Sequence, residues 1–357
     1  MRNVYIERAP LGSHYVAHNV RSGAIVLNDR VGDAALERVR DASFDRSDVA
    51  APEQIRIWEK AGLFQKERYQ PEAYLALTET AEPRHISFGF GHAGITIALP
   101  DQILAKQLRT ILAPILIGPD GRDWPVIEVA CAHGEFTVFE AGHPTTERID
   151  RDQTRFLLIR RIAEILLGEN SVAAILHASA VARDGRCLVL TGDSGRGKTT
   201  SAIGLLNAGC IQVSDDHLAL DRNGCDALAF PAAIGIKPGS VDLPEVKALL
   251  AASHETAPVR EGVRYAHAPN RAAPGTRFPI AAIVMPHFVP GAELELERLS
   301  PEAALVEIIS AGARLSPGIN SIRPVAHLLN EVPVYVMRYG KSAQSVPACL
   351  SLLESPC

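Results

Sequence analysis

A chain that must carry Gly192-Asp-Ser-Gly-Arg-Gly197-Lys198-Thr199 between an apolar strand and a helix has few folds open to it. Cys187 to Leu190 are four consecutive apolar residues, the pattern of a short buried strand. The Ala/Ile/Leu-rich run after Thr199 has helical character and stops at Gly209, where a helix end favours left-handed backbone. Between them the loop fits G-x-x-x-x-G-K-[ST] at each fixed position. Glycines there let backbone N–H groups converge on phosphate oxygens with no Cβ in the way. A helix opening at that point aims its unpaired N–H groups and positive dipole end at the same anion. Lys198 is spaced to reach β- and γ-phosphates and the Thr199 hydroxyl to ligate Mg²⁺, while Asp193, Ser194, Gly195 and Arg196 complete the loop and Thr200 follows it. The motif predicts an α/β unit whose ligand is a nucleotide.

Composition narrows the class. The net charge of -5 lacks the basic excess of a sequence-independent nucleic-acid binder. No apolar run approaches the roughly 18 residues that span a bilayer, so no membrane partner is expected. The opening MRNVYIERAP lacks an apolar signal core, so a cytoplasmic setting is expected. The 6 cysteines form no C-x-x-C pair and sit mostly in apolar segments, which predicts free buried thiols.

The chain divides into three parts. Residues 1–67 read as a small α+β unit: HYVAHNVRSGAIVLND gives a strand and turn, and DAALERVRDA and APEQIRIWEKAGLF have helical spacing, the second ending near Gly62. Residues 68–85 are polar with two prolines and read as a linker. Residues 86–357 interleave strands and helices, predicting a mixed sheet. Within them ISFGFGHAGITIAL is a hairpin, a helix opens at Pro100, a second hairpin turns at His133-Gly134, and a long helix stops at Gly168. IQVSDDHLALD reads as a strand pair, with a further turn at Asn223-Gly224.

Candidate chemistry flanks the loop. His177 lies upstream in LHASAVARDG, where a lone histidine also reads as a core residue. Downstream come Asp215 and Asp216. Adjacent carboxylates alternate along a strand, but at a strand end both can approach one site. Phosphoryl transfer to an alcohol needs one carboxylate for the metal and one for the hydroxyl proton. An SDD triplet alone is also compatible with a solvated turn. Lys237 and Arg264 follow beside Pro/Gly loops, candidates for contacting a phosphate or an anionic acceptor, or ordinary solvated cations. His217 adjoins the acidic pair.

In this order, LHASAVARDGRCLVLTGDSGRGKTT and QVSDDHLAL resemble the HPr kinase/phosphorylase family and, more distantly, the ATP-dependent phosphoenolpyruvate carboxykinases that share its core. The matched region runs from Leu176 to about Leu220. The resemblance implies a P-loop kinase core using ATP and Mg²⁺. Lys198 and the amides from Gly192 to Gly197 would hold phosphates, and Thr199 and Asp215 the metal. Asp216 would be the base, with the Asp215/Asp216 roles open to reversal, and His177 would sit beside the transferred group or a second metal. A homo-oligomer is implied only by the same resemblance. The family's downstream E-x-R-G-x-G motif does not occur; the corresponding stretch reads FPAAIGIKPGS. The chain is therefore more similar to the HPr-kinase-related enzymes of natural-product pathways, which phosphorylate a serine of a short peptide. The Asn19-centred strand-turn and the AGLF ending of the first unit resemble the winged-helix-like, leader-peptide-binding PqqD type, which would suit a peptide or protein substrate. A small-molecule kinase on the same core and a nucleotide-binding regulatory module are the competing expectations.

Overall fold

Strands from both sides of the glycine-rich loop assemble around the apolar segment before it. The computed structural model describes residues 5–39, 52–65, 70–77, 83–118, 122–223, 226–230, 232–253, 256–260, 262–316 and 320–354. In the central six-stranded sheet the order is Ile211–Ser214, Ala178–Arg183, Arg186–Thr191, Ile280–Phe288, Val334–Tyr339, Glu295–Arg298. Arg186–Thr191 runs parallel to Ile280–Phe288, which runs parallel to Val334–Tyr339; the other pairs are antiparallel. The architecture is mixed α/β. Its inner strands are apolar along their length because both faces are covered. Helices Lys198–Asn207 and Ser342–Glu354 cover one face, closing Leu188, Leu190, Leu205, Met337, Cys349 and Leu353 into one cluster. On the other face Val189, Ile283 and Met285 pack with Leu218, Ile322 and Leu329.

A second, five-stranded antiparallel sheet contributes that other layer: Arg277–Phe278, Ala227–Leu228, Leu218–Asp221, Val172–Leu176, Arg314–Leu315. Two stretches of chain cross from one sheet to the other together. Val172–Leu176 belongs to the five-stranded sheet and Ala178–Arg183 to the central one, with His177 between them. Ile211–Ser214 and Leu218–Asp221 do the same, with Asp215, Asp216 and His217 between them. Since Leu176 pairs with Leu218 and Ala180 with Ser214, ladders on both sides hold the two crossings against each other.

A third sheet, with Arg84–Phe90, Ala93–Leu99, Val126–Ala132 and Glu135–Glu140 at its middle, packs on helices Gln102–Ile111 and Arg151–Leu167. The turn at His133-Gly134 forms, with both residues at positive φ. The first of these helices starts at Gln102, two residues after the Pro100 opening expected, because the Asp101 carboxylate accepts from Leu104 N–H and caps it. The second has a capping box, Asp150 with Gln153, and ends at Gly168 as expected.

The first unit is a three-stranded meander, Ile6–Leu11, His14–Asn19, Ile25–Asn28, with helices Arg30–Val39 and Pro52–Lys60. Trp58 is fully buried and donates to Asn28 Oδ1 at 2.9 Å. The expected boundary at residue 67, residues 68–69 and 78–82 of the linker, and Gly224 of the Asn223-Gly224 turn lie outside the described residues. Within the linker, Leu75 N–H donates to Thr137 Oγ1 at 3.0 Å and Tyr74 meets Phe139 edge-on, so this stretch lies against the third sheet. Cys187, Cys210 and Cys349 are buried and free, Cys131 is free and half-buried, and Cys225 and Cys357 lie outside the described residues. Among the described residues no helix is long and apolar enough to cross a membrane.

Candidate phosphate-loop site

The loop leaves the central sheet at the end of Arg186–Thr191 and enters Lys198–Asn207 through Gly197, whose φ is +106°. A Cβ at that position would be strained and would collide with the Tyr339 hydroxyl. Tyr339 also shares a 3.2 Å hydrogen bond with Ser201 in the first turn of the helix. The side chain of Lys198 is buried and folds back over the loop, donating to Gly192 O at 2.6 Å and Asp193 O at 3.1 Å. Burial lowers its pKa, while Asp216 and Asp215 pull it back up. Thr199 and Thr200 are half-buried on the first turn; Asp193, Ser194, Gly195 and Arg196 are exposed.

Asp215 and Asp216 sit at the sheet crossing and differ sharply. Asp215 is 3% exposed. Its Oδ1 accepts from the Ser179 hydroxyl at 2.5 Å and its Oδ2 from Gly235 N–H at 3.2 Å. Burial, then the neighbouring charge of Asp216, push its pKa well above the carboxylate range. The Asp216 side chain is 48% exposed and lies 3.3 Å from His177 Nε2. Its desolvation is outweighed by the hydrogen bond from His177 and by the charge of Lys198, which hold it below that range. Asp216 has φ +61°, a left-handed backbone that Asp tolerates better than most residues. That turn aims the second carboxylate out of the sheet instead of back into it.

Phe156, from helix Arg151–Leu167, stands between the two histidines, 4.4 Å from the His217 ring and 5.7 Å from that of His177. His217 is buried and donates from Nε2 to Phe156 O at 3.1 Å; burial lowers its pKa to about 4, so it is neutral. Lys237 Nζ donates to Ser194 Oγ, so this cation does stand over the loop. Arg264 is placed by register opposite Ile236, one residue before Lys237. Arg196 contacts His287.

His177, Lys198, Asp215 and Asp216 are thus brought to one place, with Lys237 at its rim. Sequence reasoning missed Ser179, the Gly235 amide, Phe156 and Tyr339. Ser179 alone carried a local signal: it is a hydroxyl two residues from His177 in an otherwise apolar run.

Among the described residues no three His, Cys, Asp or Glu side chains converge as a metal group. The donors do suit Mg²⁺ held jointly with phosphates, since this hard cation takes oxygens, often from only one or two carboxylates. The Thr199 hydroxyl and the remaining lone pairs of Asp215 could supply them, leaving the open oxygens of Asp216 for another role. Two adjacent carboxylates of which one resists ionisation are a pair that a cation would relieve. Compared with known proteins, the chain matches no family model and no curated protein.

Proposed function

We propose that this chain is an ATP- and Mg²⁺-dependent kinase, built on a core of the HPr kinase/phosphoenolpyruvate carboxykinase type, that phosphorylates a serine-type hydroxyl of a peptide or protein. The observation that carries the reading is the pairing of a half-exposed, ionised Asp216, held 3.3 Å from His177, with a glycine-rich loop whose Lys198 feels both aspartates. A module that only bound nucleotide would need one carboxylate for Mg²⁺ but has no use for a second one oriented by a histidine beside the phosphate loop.

In this reading Lys198 leaves the carbonyls of Gly192 and Asp193 for the β- and γ-phosphates, a charge-assisted exchange. Bound Mg²⁺ would offset phosphate charge, with Thr199 and Asp215 as its protein donors. The acceptor oxygen forms a bond to the γ-phosphorus as the bond from that phosphorus to the β,γ-bridging oxygen breaks, and ADP leaves with the electron pair. Asp216 takes the acceptor's proton. Such transfers have loose transition states, so orienting the acceptor counts for more than base strength. His177 fixes the Asp216 carboxylate, and Lys237 adds positive charge at the loop.

The test is to incubate the full chain with ATP, Mg²⁺ and a pool of Ser-, Thr- and Tyr-containing peptides and read phosphoryl gain by intact mass. The expected result is phosphopeptide from the parent and none from Asp216→Asn. ATP consumption without phosphopeptide would replace the peptide acceptor by a small molecule, and neither transfer nor consumption would overturn the kinase reading.

A further inference from the structure

Helix Ile322–Glu331 packs against strands Ile6–Leu11 and Val172–Leu176, yet its own N-cap residue, Ser321, does not cap it. The Ser321 hydroxyl is turned away, donating to Ser316 O at 2.7 Å. The cap comes from the far end of the chain. Glu7, in strand Ile6–Leu11, is buried and accepts from the N–H groups of Asn320, Ser321 at 3.1 Å and Ile322 at 3.4 Å. Burial works against its charge, but His18, its cross-strand neighbour, and these amides hold Glu7 ionised. A carboxylate on three amides at the positive end of a helix is a strong lock. Asn320, at φ +66°, is part of what it fixes.

The segment leading into that helix reaches the site. Ser316 N–H donates to Ala173 O at 2.9 Å, and Arg314–Leu315 pairs with Ala174 and Ile175. These belong to the strand that ends at Leu176 and hands the chain to His177. Gly312 stands directly behind the imidazole: a Cβ there would lie 3.7 Å from His177 Cβ and Nδ1. The other end of the Glu7 hairpin meets the C-terminal end of the same helix and the start of helix Pro301–Ser310. Gly12 N–H donates to Asn330 Oδ1 at 2.8 Å and Ser13 N–H to Glu302 Oε1 at 2.6 Å.

We infer that Glu7 is a positioning residue for His177: by capping Ile322–Glu331 it fixes the 312–316 segment that backs and aligns the imidazole against Asp216. The first unit is then part of the catalytic geometry and not an appendage to it. For its effect on turnover this inference rests on the proposed kinase reading; for the placement of His177 it does not.

The experiment compares full-length parent, Glu7→Gln and Asn330→Ala. Among the 12 histidines, the His177 ring signal is assigned in a carbon–proton NMR spectrum by its loss in His177→Asn. In Glu7→Gln the new NH₂ faces the amide donors, so the His177 signal is expected to move. In Asn330→Ala, which loosens the hairpin where it meets the far, C-terminal end of the same helix and leaves the Glu7 cap and the 312–316 segment in place, Tm falls but the signal stays. If phosphoryl transfer is found, Glu7→Gln lowers kcat about tenfold with KM for ATP within about twofold, the pattern of a transition-state alignment lost without loss of binding. A His177 signal unchanged in folded Glu7→Gln overturns the inference, as does an equal movement in Asn330→Ala. If Glu7→Gln does not fold, Ser321→Ala, which cuts the Ser321–Ser316 link of the same route, is read by the same criteria. Absence of transfer in the parent would count against the kinase reading alone, because the NMR comparison decides the positioning role without it.

Discussion

The Ser179 hydroxyl donates a 2.5 Å hydrogen bond to Asp215 from the same strand crossing that sets His177 against Asp216. One short stretch, 177–179, therefore handles both carboxylates, and handles them differently. Asp215 is sealed in and resists ionisation; Asp216 is half open and ionises readily.

Removing the Ser179 hydroxyl should deepen that division. A hydrogen bond to a charged group contributes about 1.5–3 kcal/mol, so on the proposed kinase reading Ser179→Ala is expected to lower phosphoryl transfer on the order of tenfold or more. Asp215 becomes still harder to ionise, so the acidic limb of the kcat–pH profile moves to higher pH. A profile that drops evenly at every pH would show that Ser179 does not act through Asp215.

Asp215 also predicts how the free protein responds to pH. A carboxyl that holds its proton more tightly folded than unfolded favours the folded chain at low pH and withdraws that support as pH rises through its raised pKa. Asp216, shifted the other way, contributes stability at neutral pH that is lost only under strongly acidic conditions. Between mildly acidic and neutral pH the Asp215 effect dominates, so Tm of Asp215→Asn should fall less over that range than Tm of the parent. Parallel Tm–pH curves for the two proteins would refute the prediction.

Lys198 is a buried cation with its charge partly uncompensated. Lys198→Met should leave Tm of the free protein unchanged or higher and, on the proposed reading, cut affinity for MgATP by roughly ten- to a hundredfold, the loss of a charge-assisted phosphate contact. Differential scanning fluorimetry with and without MgATP reads both effects at once. A variant that keeps the nucleotide-induced rise in Tm would remove Lys198 from the phosphate site.

Gly197 makes a steric prediction. Alanine there meets both an unfavourable φ and the Tyr339 hydroxyl, so Gly197→Ala should lower stability by about 1–3 kcal/mol and weaken nucleotide binding. Adding Tyr339→Phe removes the collision but not the backbone strain. Denaturant melts of the double variant should recover part of the loss and never all of it.

The sequence made legible what is local. The strand, loop and helix around Gly197 and Lys198 follow from a spacing with a physical reason, and Asp215 and Asp216 stand out as a charged pair in an apolar run. The helix Ile322–Glu331 was not legible, because Pro324 reads as a breaker although it falls in the first turn, where a missing N–H is tolerated. Strand Ile6–Leu11 was masked by Glu7, Arg8 and Pro10; Arg8 is absorbed by Asp33 and Glu37 and Glu7 by a helix end more than 300 residues on. Phe156 and Tyr339 were invisible as site residues for the same reason. Each reaches the site from a distant element, and an apolar aromatic on a helix or strand carries no mark of what it will face.

That long reach also imposes an order on synthesis. A ribosome delivers the hairpin of Glu7, Ala9, Leu11 and Val16 well before Ile322, Val325 and Leu329, the residues that join its apolar side in one core. For most of translation the hairpin therefore has neither its helix to cap nor its apolar cover, and domain-by-domain folding of the emerging chain cannot complete it. Nascent chains arrested before residue 320 should thus hold their first unit in a state that proteases and chaperones recognise as unfinished.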